Sequence, residues 1–193
     1  MSRIDPPTED ALTPELKQGL AMAEAFMGFL PNSSVDMAHW PELAQTFAPF
    51  AANILGGGEL DRSLKNMIAA VASSAAGCRY CMAHTTHQAE RAGGDAEKVA
   101  RVWEYQNSDL FSDAERAALD LALAGGQVPN AATDAHFEAL KLHYSDKQIV
   151  EIVSVIALFG FLNRWNDTMG TELEDEPLSF ARETFATRDW SEG

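Results

Sequence analysis

The chain has 193 residues, of which 46% are hydrophobic and 22% charged, so it can bury a sizeable core and is neither disordered nor fibrous. The formal net charge is −15, and a surface of this sign repels nucleic acid and anionic membranes. Residues 1–16 lack the apolar stretch of a signal peptide. We therefore expect a cytoplasmic protein with one domain over residues 1–193, whose core spans about 15–175.

Apolar residues recur at helical spacing along almost the whole chain, which predicts an all-α fold. The predicted helices span about 14–29, 41–55, 61–76, 78–94, 112–124, 134–142 and 146–169. Their ends are marked by Pro14, by glycines at 56–58, 77 and 93–94, and by capping-box patterns at 112–115 and 145–148. The longest apolar stretch, 149–162, is interrupted by Glu151, and we expect it to be a buried core helix, too short to span a membrane.

Two segments of the chain resemble each other. The segments that begin at Asp61 and Asp146 both open a long apolar helix, and their alignment places Cys78 against Asn163 and Cys81 against Asn166. One interpretation is a pair of related helical halves, with a redox motif in 61–94 and a second half-repeat in 146–170. The other is a chance likeness between two amphipathic helices, because short periodic matches are weak evidence.

The only two cysteines, Cys78 and Cys81, follow Gly77 at the predicted start of a helix. In a reducing compartment this spacing is typical of a redox pair or of half a metal site. Positions i and i+3 share a helix face, and the free N–H groups of a helix start, together with the cation of Arg79, favour a thiolate. A peroxide oxidises a thiolate to a sulfenic acid, which a second thiol converts to a disulfide. His84 follows Cys81 by one helical turn and could exchange the proton.

Two other interpretations of this segment remain open. The cysteines could be idle, small hydrophobic residues. Alternatively, Cys78, Cys81, His84 and His87 offer zinc ligands at steps of three. On an unbroken helix, however, each step rotates the side chain by about 60°, so four such positions cannot converge on one ion. The remaining histidines are expected to be caps or surface residues: His39, His136 and His143.

The segments 64–69 and 77–85 resemble the carboxymuconolactone decarboxylase and AhpD-like superfamily, and above all its peroxidase-related, alkylhydroperoxidase-like branch. Weaker similarities extend over about residues 15–175. The resemblance implies an all-α, AhpD-like fold that assembles into homo-oligomers. It also implies that Cys81 is the peroxidatic thiol, that Cys78 is the resolving thiol and the contact point for an external reductant, and that His84 belongs to a proton relay.

The chain departs from the family pattern at two positions. Asn66 stands where the family commonly has a glutamate, and an amide cannot relay a proton as a carboxylate can. The family histidine lies four residues after the second cysteine, at the position of Thr85, whereas His84 lies three residues after it. Glu151, at the position that echoes Asn66, is a candidate substitute, although an ion-paired residue is the simpler expectation. If the missing carboxylate limits proton transfer, Asn66→Glu should raise peroxidase activity.

Three functions are compatible with these observations. The first is a thiol-dependent peroxidase that reduces a hydroperoxide through a Cys78–Cys81 dithiol–disulfide cycle, with a thiol or dithiol reductant and no metal or organic cofactor. The second is a carboxymuconolactone decarboxylase-like enzyme that acts on a lactone or carboxylate, with His84 as the acid–base group. The third is a non-enzymatic metal-binding module. The cysteine pair favours the first, because the decarboxylase branch generally lacks it.

Overall fold

The computed structural model describes residues 2–185. Within this range the chain forms ten α-helices and two short 3-10 turns, and no strand, so the all-α prediction is confirmed. The expectations for residues 1 and 186–193 lie outside the described residues. The helices are α1 Pro14–Met27, α2 Asn32–Met37, α3 Pro41–Gly56, α4 Arg62–Ala76, α5 Arg79–Arg91, α6 Ala96–Ala100, α7 Asp113–Gly125, α8 Asp134–Lys141, α9 Asp146–Met169 and α10 Asp175–Thr184.

Seven of these helices match the predicted ones, and three short helices were missed. Helix α2 lies between the first two predicted helices, α6 has only five residues, and α10 follows the last predicted helix. The first two are too short to show an apolar period, and neither α2 nor α10 has a side-chain N-cap. The omission of α10 matters most, because its N-cap residue is Glu174.

Helix α4 is the centre of the core. It is buried from Lys65 to Ser73, and it packs against α5, α7 and α9. Ile68 of α4, Leu119 of α7 and Ile152 of α9 are fully buried in one cluster. Since each such side chain contributes roughly 1.5–3 kcal/mol when buried, these contacts fix the frame that carries the cysteine helix, α5.

Helix α9 has 24 residues and extends well beyond the predicted apolar stretch. It is long and apolar enough to cross a membrane by length and composition alone, so the expectation that it is too short was wrong. Of its most apolar 18 residues, 39% are buried inside the protein, through a face that packs on α4, α5 and α7. Helix α9 therefore joins the helical core through that face.

Glu151 of α9, which is partly exposed, forms an ion pair with the buried Lys65 of α4. Lys65 Nζ lies 3.0 Å from Glu151 Oε2, and the carboxylate also accepts the backbone N–H groups of Glu59 and Leu60. Burial raises the pKa of Glu151, but the two backbone hydrogen bonds and Lys65 outweigh it and leave the pKa below its ordinary value. Glu151 therefore holds the loop before α4, as the ion-paired interpretation expected, and it does not replace a carboxylate next to His84.

Candidate active site

A glycine turn between α4 and α5 positions Cys78. Gly77 adopts φ +81°, in the left-handed region that favours glycine. The N–H of Gly77 donates to Ser74 O at 3.1 Å and the N–H of Cys78 donates to Ser73 O at 3.0 Å, which is the Schellman pattern of a helix end. Cys78 is thereby the N-cap residue of α5, as the sequence predicted for a helix that starts at the cysteines.

The two cysteines are free, buried and adjacent. Cys78 is fully buried and Cys81 is 2% exposed, and their closest approach is 3.5 Å. Asn166 of α9 donates its Nδ2 to Cys81 Sγ at 3.3 Å and to Leu162 O at 3.0 Å, which fixes the orientation of the amide. A disulfide needs about 2.05 Å between sulfurs, so the two free cysteines lie close together but are not bonded.

The prediction that the helix start lowers the pKa of the thiols is wrong for Cys78. Its hydrogen bond to Cys81, burial, the negative charge of Cys81 and the side chain of Asp167 all raise the pKa of the Cys78 thiol far above its ordinary value. The backbone N–H of Cys81 acts in the opposite direction, but more weakly. Cys78 therefore keeps its proton, and Cys81 is the sulfur that faces two donors, the Cys78 thiol and the Asn166 amide.

A buried carboxylate, Glu174, lies against His84. Glu174 Oε2 is 2.5 Å from His84 Nε2, and Glu174 Oε1 accepts Tyr80 Oη at 2.8 Å and Asn32 N–H at 2.5 Å. Burial raises the pKa of Glu174, but the hydrogen bond and charge of His84, together with the Asn32 N–H, outweigh burial and leave it lowered. Burial and the charge of Glu174 raise the pKa of Tyr80 well above its ordinary value. Glu174 is therefore held as a carboxylate.

Aromatic rings enclose the imidazole of His84. The Tyr80 ring stacks on it with centroids 4.1 Å apart, and the edge of the Phe29 ring lies 5.0 Å away. Glu174 reaches this place because α9 ends at Gly170, which has φ +62°, and the N–H of Thr171 bonds back to Asn166 O at 3.0 Å. The chain then turns towards α5, against which α10 packs.

Sequence reasoning missed Glu174 and Asn166. Glu174 lies 90 residues after His84 in an acidic segment, residues 172–176, in which no local pattern distinguishes it from its neighbours. Asn166 was aligned with Cys81 as a possible repeat partner, and this alignment is the only signal that pointed towards it. The structure brings that asparagine to the cysteine itself.

The other polar residues that the sequence singled out play different parts. His87 is half-buried between the rings of Phe29 and Phe180, and burial followed by the charge of Arg91 lowers its pKa. Asn66 is buried and donates to Arg62 O of its own helix at 2.8 Å. Within residues 2–185, no group of three or more His, Cys, Asp or Glu side chains converges as metal ligands. The outlying histidines are a cap or lie on the surface, as predicted: His39, His136 and His143.

The fold and site define an all-helical protein with a buried dithiol at a helix start, next to a histidine–carboxylate pair. Residues 41–124 match the carboxymuconolactone decarboxylase family. The protein YnjA of Escherichia coli (strain K12) is 28% identical over 110 residues, which are 57% of this chain and 60% of YnjA. The match thus spans less than two thirds of the length of that relative.

Solved structures resemble the chain over almost its whole length. The debrominase Bmp8 is 37% identical, with a TM-score of 0.86 over 93% of this chain and 96% of Bmp8, and a cysteine-to-alanine variant of it has been solved in complex with 2,3,4-tribromopyrrole. An AhpD-core, peroxidase-related protein from Ralstonia eutropha JMP134 is 28% identical, with a TM-score of 0.78 over 93% of this chain and 95% of that one. The chain belongs to the carboxymuconolactone decarboxylase and AhpD-like superfamily.

Proposed function

We propose that the protein is a thiol oxidoreductase that reduces a hydroperoxide while its Cys78–Cys81 dithiol is oxidised to a disulfide. The observation that carries the proposal is the buried pair of free sulfurs, 3.5 Å apart at the start of α5, with the proton retained on Cys78 and the Asn166 amide on Cys81. The likeness to a peroxidase-related AhpD core supports it. Family and fold indicate an enzyme, and the dithiol indicates its chemistry.

The chemistry balances with the residues of this chain and two external reagents. The Cys81 thiolate attacks the terminal oxygen of the hydroperoxide, the O–O bond breaks, and the departing alkoxide takes a proton from His84 to leave as an alcohol. Cys78 then loses its proton and attacks the Cys81 sulfenic acid, so that the S–O bond breaks and water leaves. A thiol or dithiol of the cell reduces the disulfide again, which suits a cytoplasmic location.

Mass spectrometry of the protein after one equivalent of tert-butyl hydroperoxide tests this proposal. We expect the wild type to lose two hydrogens and both free thiols, with one tert-butanol formed per disulfide. Cys78→Ser should stop at a sulfenic acid that dimedone traps on Cys81, and Cys81→Ser should not react. Two free thiols in the treated wild type would refute the proposal, and an unchanged rate for Cys81→Ser would remove the role of Cys81.

Reductive dehalogenation is a second candidate, favoured by the 37% identity to a debrominase over nearly the whole of both chains. In this reaction the Cys81 thiolate attacks the halogen of a halogenated aromatic ring, the carbon keeps the bonding electrons, and that carbon takes a proton from His84. Cys78 then attacks the sulfenyl halide, and halide leaves as the disulfide forms. Incubation with a polybrominated pyrrole should release one bromide per disulfide, and no bromide release would eliminate this candidate.

We also infer that the protein is a homo-oligomer that uses an apolar face of α3 and α9. Phe50, Val150, Val153 and Phe161 are 40–64% exposed, and the ring contact of Phe47 with Phe161, at 5.2 Å, joins the two helices into one surface. Exposed apolar patches of this kind are typical of subunit interfaces. Light scattering should give a multiple of 21.0 kDa for the wild type and a lower mass for Val150→Glu; a monomeric wild type would contradict the inference.

A further inference from the structure

We propose that Glu174 is the positioning residue that holds His84 as the proton donor of the dithiol site, in place of the carboxylate that is missing at Asn66. Glu174 comes from the N-cap of α10, whereas the pattern of the family places its glutamate on the helix before the cysteines. The catalytic role of Glu174 in this inference rests on the proposed function. The hydrogen bond between Glu174 and His84 does not, and it can be measured without substrate.

Three donors converge on the Glu174 carboxylate. They are the backbone N–H of Asn32, the phenol of Tyr80 and Nε2 of His84. The side chains of His84 and Glu174 are only 8% and 11% exposed, so water competes weakly for these bonds. Since Nε2 is bound to the carboxylate, the ring cannot turn freely, and any proton that His84 exchanges with a substrate passes through Nδ1.

Glu174 is the carboxylate in direct contact with His84. From α5, the groups that face the imidazole are Tyr80 and His87, and Phe29 covers it from the segment after α1. His87 in turn faces Arg91 and Glu176. A buried carboxylate is stabilised by a proton donor at hydrogen-bond distance, so Glu174 keeps a proton on Nε2 of His84.

Contacts from two other parts of the chain fix the position of Glu174 relative to α5, the helix that carries Cys81. Tyr80 lies between Cys78 and Cys81 in sequence, and its hydroxyl bonds the same carboxylate as His84, one turn further along α5. The Asn32 N–H, at the start of α2, fixes the second side of the carboxylate. Three separate elements therefore meet at Glu174, which is the arrangement that a positioning residue requires.

The test is NMR of the reduced, substrate-free protein labelled with 15N at the histidine ring, with His84→Ala to assign the signals of the ring. We expect the wild type to carry a hydrogen-bonded proton on Nε2 of His84. In Glu174→Gln this proton should exchange with solvent roughly tenfold faster, because a hydrogen bond to a charged group becomes one to a neutral amide. Glu183→Gln removes the same charge from an exposed position of α10 and should leave the exchange rate unchanged. Glu174→Asp, which keeps the carboxylate, should restore at least part of the protection.

Disulfide formation by tert-butyl hydroperoxide should be slower in Glu174→Gln and at least partly restored in Glu174→Asp. An Nε2 proton that exchanges at the same rate in wild type, Glu174→Gln and Glu174→Asp would overturn the inference. If Glu174→Gln does not fold, the comparison of wild type with Glu174→Asp and with Tyr80→Phe decides, because both keep the carboxylate and must keep a protected proton on Nε2 of His84. A protected Nε2 proton in a protein that never forms a disulfide would refute the proposed function and leave the hydrogen bond intact.

Discussion

Replacing Asn166 with leucine should slow the first chemical step without unfolding the protein. The substitution removes the Nδ2 group that donates to Cys81 Sγ at 3.3 Å. It also removes Oδ1, which is buried and has no hydrogen-bond partner. The loss of the hydrogen bond is therefore offset by the removal of an unsatisfied polar atom. Because leucine fills a similar volume, we expect a change of less than about 1.5 kcal/mol in the free energy of unfolding.

The size of the kinetic effect follows from the charge on sulfur. A hydrogen bond to a charged group contributes about 1.5–3 kcal/mol, and about 1.4 kcal/mol corresponds to a factor of ten. A 3.3 Å contact to a diffuse sulfur belongs at the lower end of that range. We therefore expect the rate constant for oxidation of Cys81 by hydrogen peroxide at neutral pH to fall roughly tenfold.

Rapid-quench measurement of free thiols at neutral pH checks this prediction. The deficit of Asn166→Leu should be the same with hydrogen peroxide and with tert-butyl hydroperoxide, since the amide contacts the sulfur and not the substrate. Asn163→Leu is the matched control: Asn163 lies one turn earlier on α9, is equally buried, and also has an unpartnered Oδ1. Equal losses in the two variants, or no loss in Asn166→Leu, would show that the amide does not stabilise the sulfur charge.

Three further outcomes follow from the buried charges. Lys65→Met should lower the free energy of unfolding by at most about 3 kcal/mol, the lower end of the range for a fully buried pair, because the partly exposed Glu151 loses its cation. Urea unfolding measures this change, and peroxide turnover per folded molecule should not change. Asn66→Glu should not raise peroxidase activity, contrary to the expectation from sequence, since Glu174 already binds His84. The same substitution should lower the melting temperature, because it places a carboxylate at a position that is only 3% exposed. Glu174→Gln should be less stable than the wild type at pH 6, because the lowered pKa of Glu174 contributes stability above its ordinary value of about 4.3. This stability is lost as the pH falls through the folded-state pKa. The unfolding free energies of the two proteins, measured with urea, should therefore approach each other as the pH falls below that ordinary value.

Local features of the sequence determined the helices and the cysteine turn. The apolar period, the capping boxes at Ser112 and Ser145 and the glycine at position 77 predicted their elements, and the structure has each of them. These features act within one or two turns of the chain, so they can be interpreted without knowledge of the tertiary contacts. The i, i+3 spacing of Cys78 and Cys81 belongs to the same class, because helix geometry alone brings the two sulfurs together.

Tertiary packing decided which groups act on those sulfurs. Asn166 and Glu174 lie 85 and 90 residues from the side chains that they bind, and they reach them because α9 and α10 both pack on α5. The state of Cys78 was decided in the same way: a helix start favours its thiolate, but burial and the neighbouring sulfur outweigh that effect. Electrostatic forces on a buried group depend on everything around it, and a linear sequence does not show what that is.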